Sequence, residues 1–263
     1  MLNVIKSQLY QFRKERITKL LFFGLIAMFI LIPFIAVIQA KVMTTPMTGA
    51  TGGGYFASNL RFFIFMPLVY VAAVVAQICG QDFVDKTANY ELMSGRRRYQ
   101  SYFGRVIPSV IIGTIGFLII AATPVITVTV INGWGDKISV WNVVLRYALM
   151  IFPTIRVACE FVFFTFLIKN PYIVMGLGYL YSMVSMYAEI FPSDGFVFFG
   201  STNIILLSMV DIWTNYGLEG DINFIYESAL SSSDIIGTIV ISLIVSAAAL
   251  LLGYVFFKND DMN

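Results

Sequence analysis

The chain has 263 residues; 59% are hydrophobic, 12% are charged, the net charge is +2 and the mean hydropathy is +0.83. Charged residues make up about a quarter of an ordinary soluble chain, so composition excludes a soluble globular domain and points to an integral, polytopic membrane protein. There is no histidine, which excludes an H-E-x-x-H zinc site and Ser–His catalysis, and no G-x-x-x-x-G-K-[ST] stretch to cradle ATP.

The first element is an amphipathic helix over residues 1–18. Leu2, Ile5, Leu9 and Phe12 recur at spacings of three, four and three and share one face, flanked by Lys6 and Arg13. That pattern suits a helix lying in the membrane interface near anionic lipid; a plain basic flank that only sets topology is the other reading. Arg16 falls on the apolar face, so the chain is expected to turn into the first span there. The apolar run that follows is too long for the core of a signal peptide and carries no A-x-A-like cleavage site.

Apolar runs near the roughly twenty residues needed to cross a bilayer define six expected spans: Lys19–Ala40, Arg61–Gly80, Gly104–Ile131, Trp141–Ile168, Tyr172–Phe191 and Asp234–Phe257. Pro33, Pro67, Pro108, Pro124 and Pro153 can kink them. With the N-terminus inside, the inner side holds Lys6, Arg13, Lys14, Arg16, Lys19, Lys86, Arg96, Arg97, Arg98, Arg105, Lys169 and Lys258. The outer side holds Lys41, Arg61 and Lys137. This asymmetry places both termini in the cytoplasm, for a chain expected in the cell membrane. Cys79 and Cys159 lie inside apolar runs and read as small packing residues.

Between the second and third spans lies a charged segment, residues 82–103. Its acids, Asp82, Asp85 and Glu91, precede the triplet Arg96, Arg97 and Arg98, an order that suits the dipole of a short helix ending near Ser94-Gly95. Phe83, Tyr90, Leu92, Met93, Tyr99 and Tyr102 are large groups that a mere chain reversal does not need. Either the segment anchors to lipid headgroups or it is a lever gripped by a partner; its acidic and aromatic half favours the lever.

In the fourth span, Arg156 and Glu160 are four apart on one face. An intramembrane charge pair of this kind is either bundle glue or part of a substrate or gating path. Arg146 lies close enough to the outer interface to snorkel, and Gly176-x-Gly178 in the fifth span allows close helix packing. Outside, Thr44–Phe56 is Gly/Thr-rich and reads as a mobile loop. The connection 192–233 carries "GFVFFG" and "IILLSMVDIW", too short to cross and expected to form re-entrant or outer helices. Its "SSSD" end can cap the sixth span.

The segment 82–103 resembles the cytoplasmic loop between the second and third spans of ABC-2-type transporter permeases. Asp82 or Asp85 matches the family's acid, Thr87 its threonine, Leu92-Met93 its apolar pair, Ser94 its small residue and Arg96 to Arg98 its basic end. Phe103-Gly104-Arg105 resembles the "LGK" that opens the third span. Lys86 and Gly95 depart from the family's usual Gly and Pro. The architecture of six spans, an amphipathic N-terminal helix and a long outer connection extends the resemblance over the whole chain, 1–263, as one transmembrane domain.

The resemblance implies a non-enzymatic transmembrane subunit whose residues 82–103 form a coupling helix. Two copies of a separate ABC ATP-binding subunit would grip that helix; ATP and Mg would be held there and not in this chain. A second copy or a related permease would complete the path, with no nucleic acid as partner. The abundance of aromatics, 24 Phe and 14 Tyr, suits export of an amphipathic or hydrophobic cargo such as a peptide, antimicrobial or lipid-like molecule. The rival readings are an ion-coupled secondary transporter and a membrane scaffold or sensor that docks a cytoplasmic partner.

Overall fold

The computed structural model describes residues 2–43, 51–58, 65–85, 95, 97–135, 138–188, 211–216, 222–227 and 232–259. Helix α1, Leu2–Lys14, is followed by a bend at Glu15 and Arg16 and then by α2, Ile17–Met43. Next come the short α3, Gly52–Ser58, and the long helices α4, Met66–Val84, α5, Arg98–Asn132, and α6, Val140–Ile168. Helix α7, Pro171–Ala188, precedes strands β1, Asp211–Tyr216, and β2, Ile222–Glu227, and α8, Ser232–Asn259, follows them. Helices α2, α4, α5, α6 and α8 are long and apolar enough to cross a membrane. The fifth expected span corresponds to α7, whose 18 residues reach the edge of the described part of the chain.

Helix α4 is the central strut. Its run "VAAVVAQICG" is buried throughout and packs against α5, α6 and α7. Two helices that share a bilayer gain nothing by hiding leucine from lipid, so close approach through small residues has to supply the attraction. A Cβ on Gly116 of α5 would fall 2.1 Å from the Tyr70 ring of α4, and one on Gly178 of α7 would fall 2.2 Å from Ala72. Gly176, by contrast, faces open space. Cys79 and Cys159 are buried and free, and the Cys79 thiol is 3.4 Å from Ser109 Oγ.

Helices α2 and α8 flank this core and leave broad apolar faces uncovered, including Leu20, Phe23 and Leu31 on α2 and Ile244 and Leu251 on α8. In a membrane chain such faces suit lipid. Pro33, Pro108, Pro124 and Pro153 lie inside helices, whereas Pro67 stands in the first turn of α4, where its missing N–H leaves no bond unmade. Helices α6 and α7 are joined by Lys169, in the left-handed region at φ 58°, and by Asn170, whose side chain accepts from the Tyr172 N–H at 3.0 Å.

Three expectations change, two of them for the connections. Residues 52–58 of the Gly/Thr-rich stretch form α3, with Tyr55 and Phe56 buried; residues 44–50 lie outside the described residues. The glycines make this seat possible, because a Cβ on Gly52 would meet Thr129 Oγ1 at 1.9 Å, while the Gly52 and Gly53 N–H groups donate to the carbonyls of Gly133 and Trp134. In the outer connection, 211–216 and 222–227 form an antiparallel hairpin instead of helix, with Asp211 opposite Glu227 and Tyr216 opposite Ile222. "DIWTNY" and "INFIYE" are rich in the β-branched and aromatic residues that suit a strand. Residues 192–210 lie outside the described residues. Arg146, expected to snorkel, is instead 2% exposed and packed within the chain; its Nε donates to Asn142 Oδ1, one turn earlier, at 2.8 Å.

Candidate functional site

The most deeply buried residues of α1 lie beside its apolar stripe, from which Phe12 packs against the bundle. Val4 and Gln8 are buried against the bundle, while Leu9 is left 43% exposed. Val4 meets the first turns of α5 at a glycine: a Cβ on Gly104 would sit 2.8 Å from both Cβ and Cγ1 of Val4. One turn on, Gln8 Nε2 donates to Asp82 Oδ2 at 2.8 Å, and Arg105 Nε donates to the same oxygen at 2.6 Å. Arg105 also donates to the backbone carbonyl and hydroxyl of Ser101. Asp82 and Arg105 are 5% and 1% exposed, so this clamp joins α1, α4 and α5 in a site nearly closed to solvent.

A buried pair of opposite charges is sustained only when its remaining donors and acceptors are also met. Here Gln8 supplies a second donor to the carboxylate, and Ser101 supplies acceptors to the guanidinium. The pair therefore fixes how the end of α4 sits against the beginning of α5. These are the two helices that flank residues 86–97.

An aromatic cluster secures the other side of α5. Tyr102 is fully buried, donates to the Leu250 carbonyl at 2.8 Å and packs against Phe166 at 4.8 Å and Tyr254 at 5.4 Å between ring centroids. Phe257 and Phe83 complete the cluster through Phe166, at 5.3 and 5.7 Å. Arg98 donates to the Lys258 carbonyl. The two described ends of the chain, α1 and the last turn of α8, thus lie at the same end of the bundle.

The segment 82–103 consequently divides. Asp82, Phe83 and Tyr102 are not displayed to a partner: Asp82 is held by Arg105 and Gln8, and the two rings pack inside the bundle. Helix α4 continues to Val84 and α5 begins at Arg98, so both helices extend into what the sequence assigns to a separate helix. Asp85 and Arg97 are exposed, Arg98 is half-buried, and Gly95 has a left-handed φ of 83°. Thr87, Glu91, Leu92, Met93 and Arg96 lie outside the described residues.

A second charged site lies in α6. Arg156 Nε donates to Glu160 Oε1 at 2.9 Å, and the Tyr181 hydroxyl of α7 donates to Glu160 Oε2 at 3.2 Å. The Arg156 side chain is 2% exposed and that of Glu160 19%. Among the described residues no cluster of three His, Cys, Asp or Glu side chains could hold a metal ion.

No family model, no curated protein and no solved structure matches this chain. Its functional reading rests on the residues and geometry above.

Proposed function

We propose that this chain is the transmembrane subunit of an ATP-driven transporter of the ABC-2 type. It has six spans, with α7 as the fifth, sits in the cell membrane with both termini in the cytoplasm, and works as a pair with a second copy or a related permease. Two ATP-binding subunits supply ATP and Mg. The cargo is amphipathic or hydrophobic and is exported.

The observation that carries this reading is the clamp of Gln8, Asp82 and Arg105. It locks to one another the two helices that flank residues 86–97 and ties both to α1. A force applied to that segment would move α1, α4 and α5 as one body, which is what a lever between a motor and a membrane bundle requires. Exposed Asp85 and Arg97 are the described groups best placed to meet a partner.

The test is copurification with the candidate ATP-binding subunit after replacing Asp85, Glu91 and Arg97 singly with alanine. Loss of ATPase association and of transport in at least one variant is expected. Full retention of both in all three refutes the assignment.

The buried group of Arg156, Glu160 and Tyr181 favours a second reading, an ion-coupled secondary transporter, because an intramembrane carboxylate is a common ion relay. Transport abolished by a protonophore but indifferent to ATP depletion selects it over the first.

A further inference from the structure

Helices α1 and α4 enclose a groove of about 280 Å³ beside the clamp. Gln77, Gln81 and Asp85 recur every four residues and draw a polar line along α4, and Glu15 and Lys14 close the α1 side. Ile78 and Phe12 also line the groove and give it an apolar wall.

Tyr10, Gln11 and Lys14 bring donors to the lining, yet two of its acceptors are left without a partner. Gln77 is 8% exposed, and its Oε1 is buried with no hydrogen-bond partner. Gln81 Oε1 is in the same condition, while its amide nitrogen donates to both Asp85 oxygens, at 3.3 and 3.2 Å. Buried amide carbonyls are almost always paired, and each one left unpaired is a cost that a matching donor removes. Two such oxygens beside two carboxylates ask for a cation that carries several N–H groups. Lys14 lies over the Tyr10 ring, 4.6 Å from its centroid, and offers the complementary charge for an anion at the mouth.

We propose that this groove binds the ethanolamine headgroup of a phospholipid. Its ammonium donates to Gln77 Oε1 and Gln81 Oε1, one helical turn apart, with the Asp85 carboxylate supplying negative charge nearby, its phosphate meets Lys14, and its chains leave past Phe12. The neighbouring surface is already suited to acyl chains, since Leu9, Leu20 and Phe23 are exposed on α1 and α2. A lipid is favoured over a free amine because the groove joins acceptors, a cation and apolar wall at an interfacial helix. The inference needs only that the chain resides in a bilayer, so it stands or falls apart from the assignment of an ATP-binding partner.

Choline and ethanolamine headgroups carry the same charge, but only ethanolamine has N–H donors. The experiment reconstitutes the full chain in nanodiscs of phosphatidylcholine containing a minor, equal proportion of phosphatidylethanolamine and a distinguishable phosphatidylcholine. Native mass spectrometry then counts the lipid that stays bound. Preferential retention of phosphatidylethanolamine by about tenfold, equivalent to about 1.4 kcal/mol, is expected. Gln77→Leu with Gln81→Leu should abolish the preference; should the double variant fail to fold, Gln81→Leu alone should reduce it. Equal retention of the two lipids overturns the proposal, as does a preference that survives in the folded variants. Displacement of the bound lipid by soluble ethanolamine phosphate as readily as by the intact phospholipid also overturns it, since a free amine would then be the occupant.

Discussion

Among the described residues two arginine–carboxylate pairs lie inside the bundle, and they differ in what they join. Arg156 and Glu160 are four apart in α6, so the pair forms as soon as the helix does, and Tyr181 adds a bond to it from α7. Asp82 and Arg105 are 23 residues apart on different helices, and Gln8 reaches Asp82 from 74 residues away. That pair exists only when α1, α4 and α5 are already in register. The local pair neutralises charge inside an apolar helix, whereas the distant pair sets the relative placement of helices on either side of residues 86–97.

The comparison is broken most severely at Arg105. Arg105→Leu takes the guanidinium away from the Asp82 carboxylate and leaves that charge buried beside Gln8, and a stability loss of about 3–5 kcal/mol is expected in thermal unfolding in nanodiscs. Asp82→Leu with Arg105→Leu should recover most of that loss, because no lone charge remains. Additive losses in the double variant would show that the two residues do not act as a pair. Next in size is Gly104→Leu, which drives a side chain into Val4, 2.8 Å from the position of its first carbon. Overpacking of this kind costs about 1–3 kcal/mol. It should raise hydrogen exchange in α1 above all, with partial rescue by Val4→Ala; a uniform rise across the bundle would deny that α1 is docked there.

These two regions also mark what the sequence made legible. Arg156 and Glu160 stand out in the chain because a four-residue interval on a helix is a contact whatever the tertiary fold. The multi-pass membrane class, the five helices long and apolar enough to cross a membrane and the packing cysteines are legible for a similar reason: they follow from run length and composition. Asp82 and Arg105 were each visible as charges near span ends, yet nothing local says that the two ends meet, so Asp82 reads as an exposed handle until the fold is seen. One signal was present. Val4 and Gln8 recur at a helical interval beside the apolar stripe of α1, and Gln77, Gln81 and Asp82 bring polar groups to the facing part of α4. Strand β1 was hidden by the opposite effect, since its first residues, Asp211 to Trp213, close the run "IILLSMVDIW", which reads as a short apolar helix when only its hydrophobicity is weighed.

Smaller effects sharpen the role of the local pair. Glu160→Gln keeps an acceptor for Arg156 and Tyr181 but removes the charge. If the pair is bundle glue, stability should fall by no more than about 1.7 kcal/mol, the upper range for polar contacts between membrane helices, and transport should persist. Abolished transport with unchanged thermal unfolding would instead make Glu160 a working group of the substrate or ion path.

The smallest change is expected from Tyr181→Phe. It removes one hydrogen bond, 3.2 Å long, between α7 and α6, while the ring keeps its edge contact with Phe161 at 5.4 Å between centroids. Interhelical hydrogen bonds in membranes contribute about 0.6 kcal/mol on average, so the shift in unfolding should be close to the limit of detection. Because the bond ends on the same carboxylate that Arg156 holds, the double variant Tyr181→Phe with Glu160→Gln should lose no more than Glu160→Gln alone if the hydroxyl acts only through that charge. A larger loss in the double variant would show that Tyr181 supports the α6–α7 contact by another route, and the local pair would then owe less to its neighbour than the geometry implies.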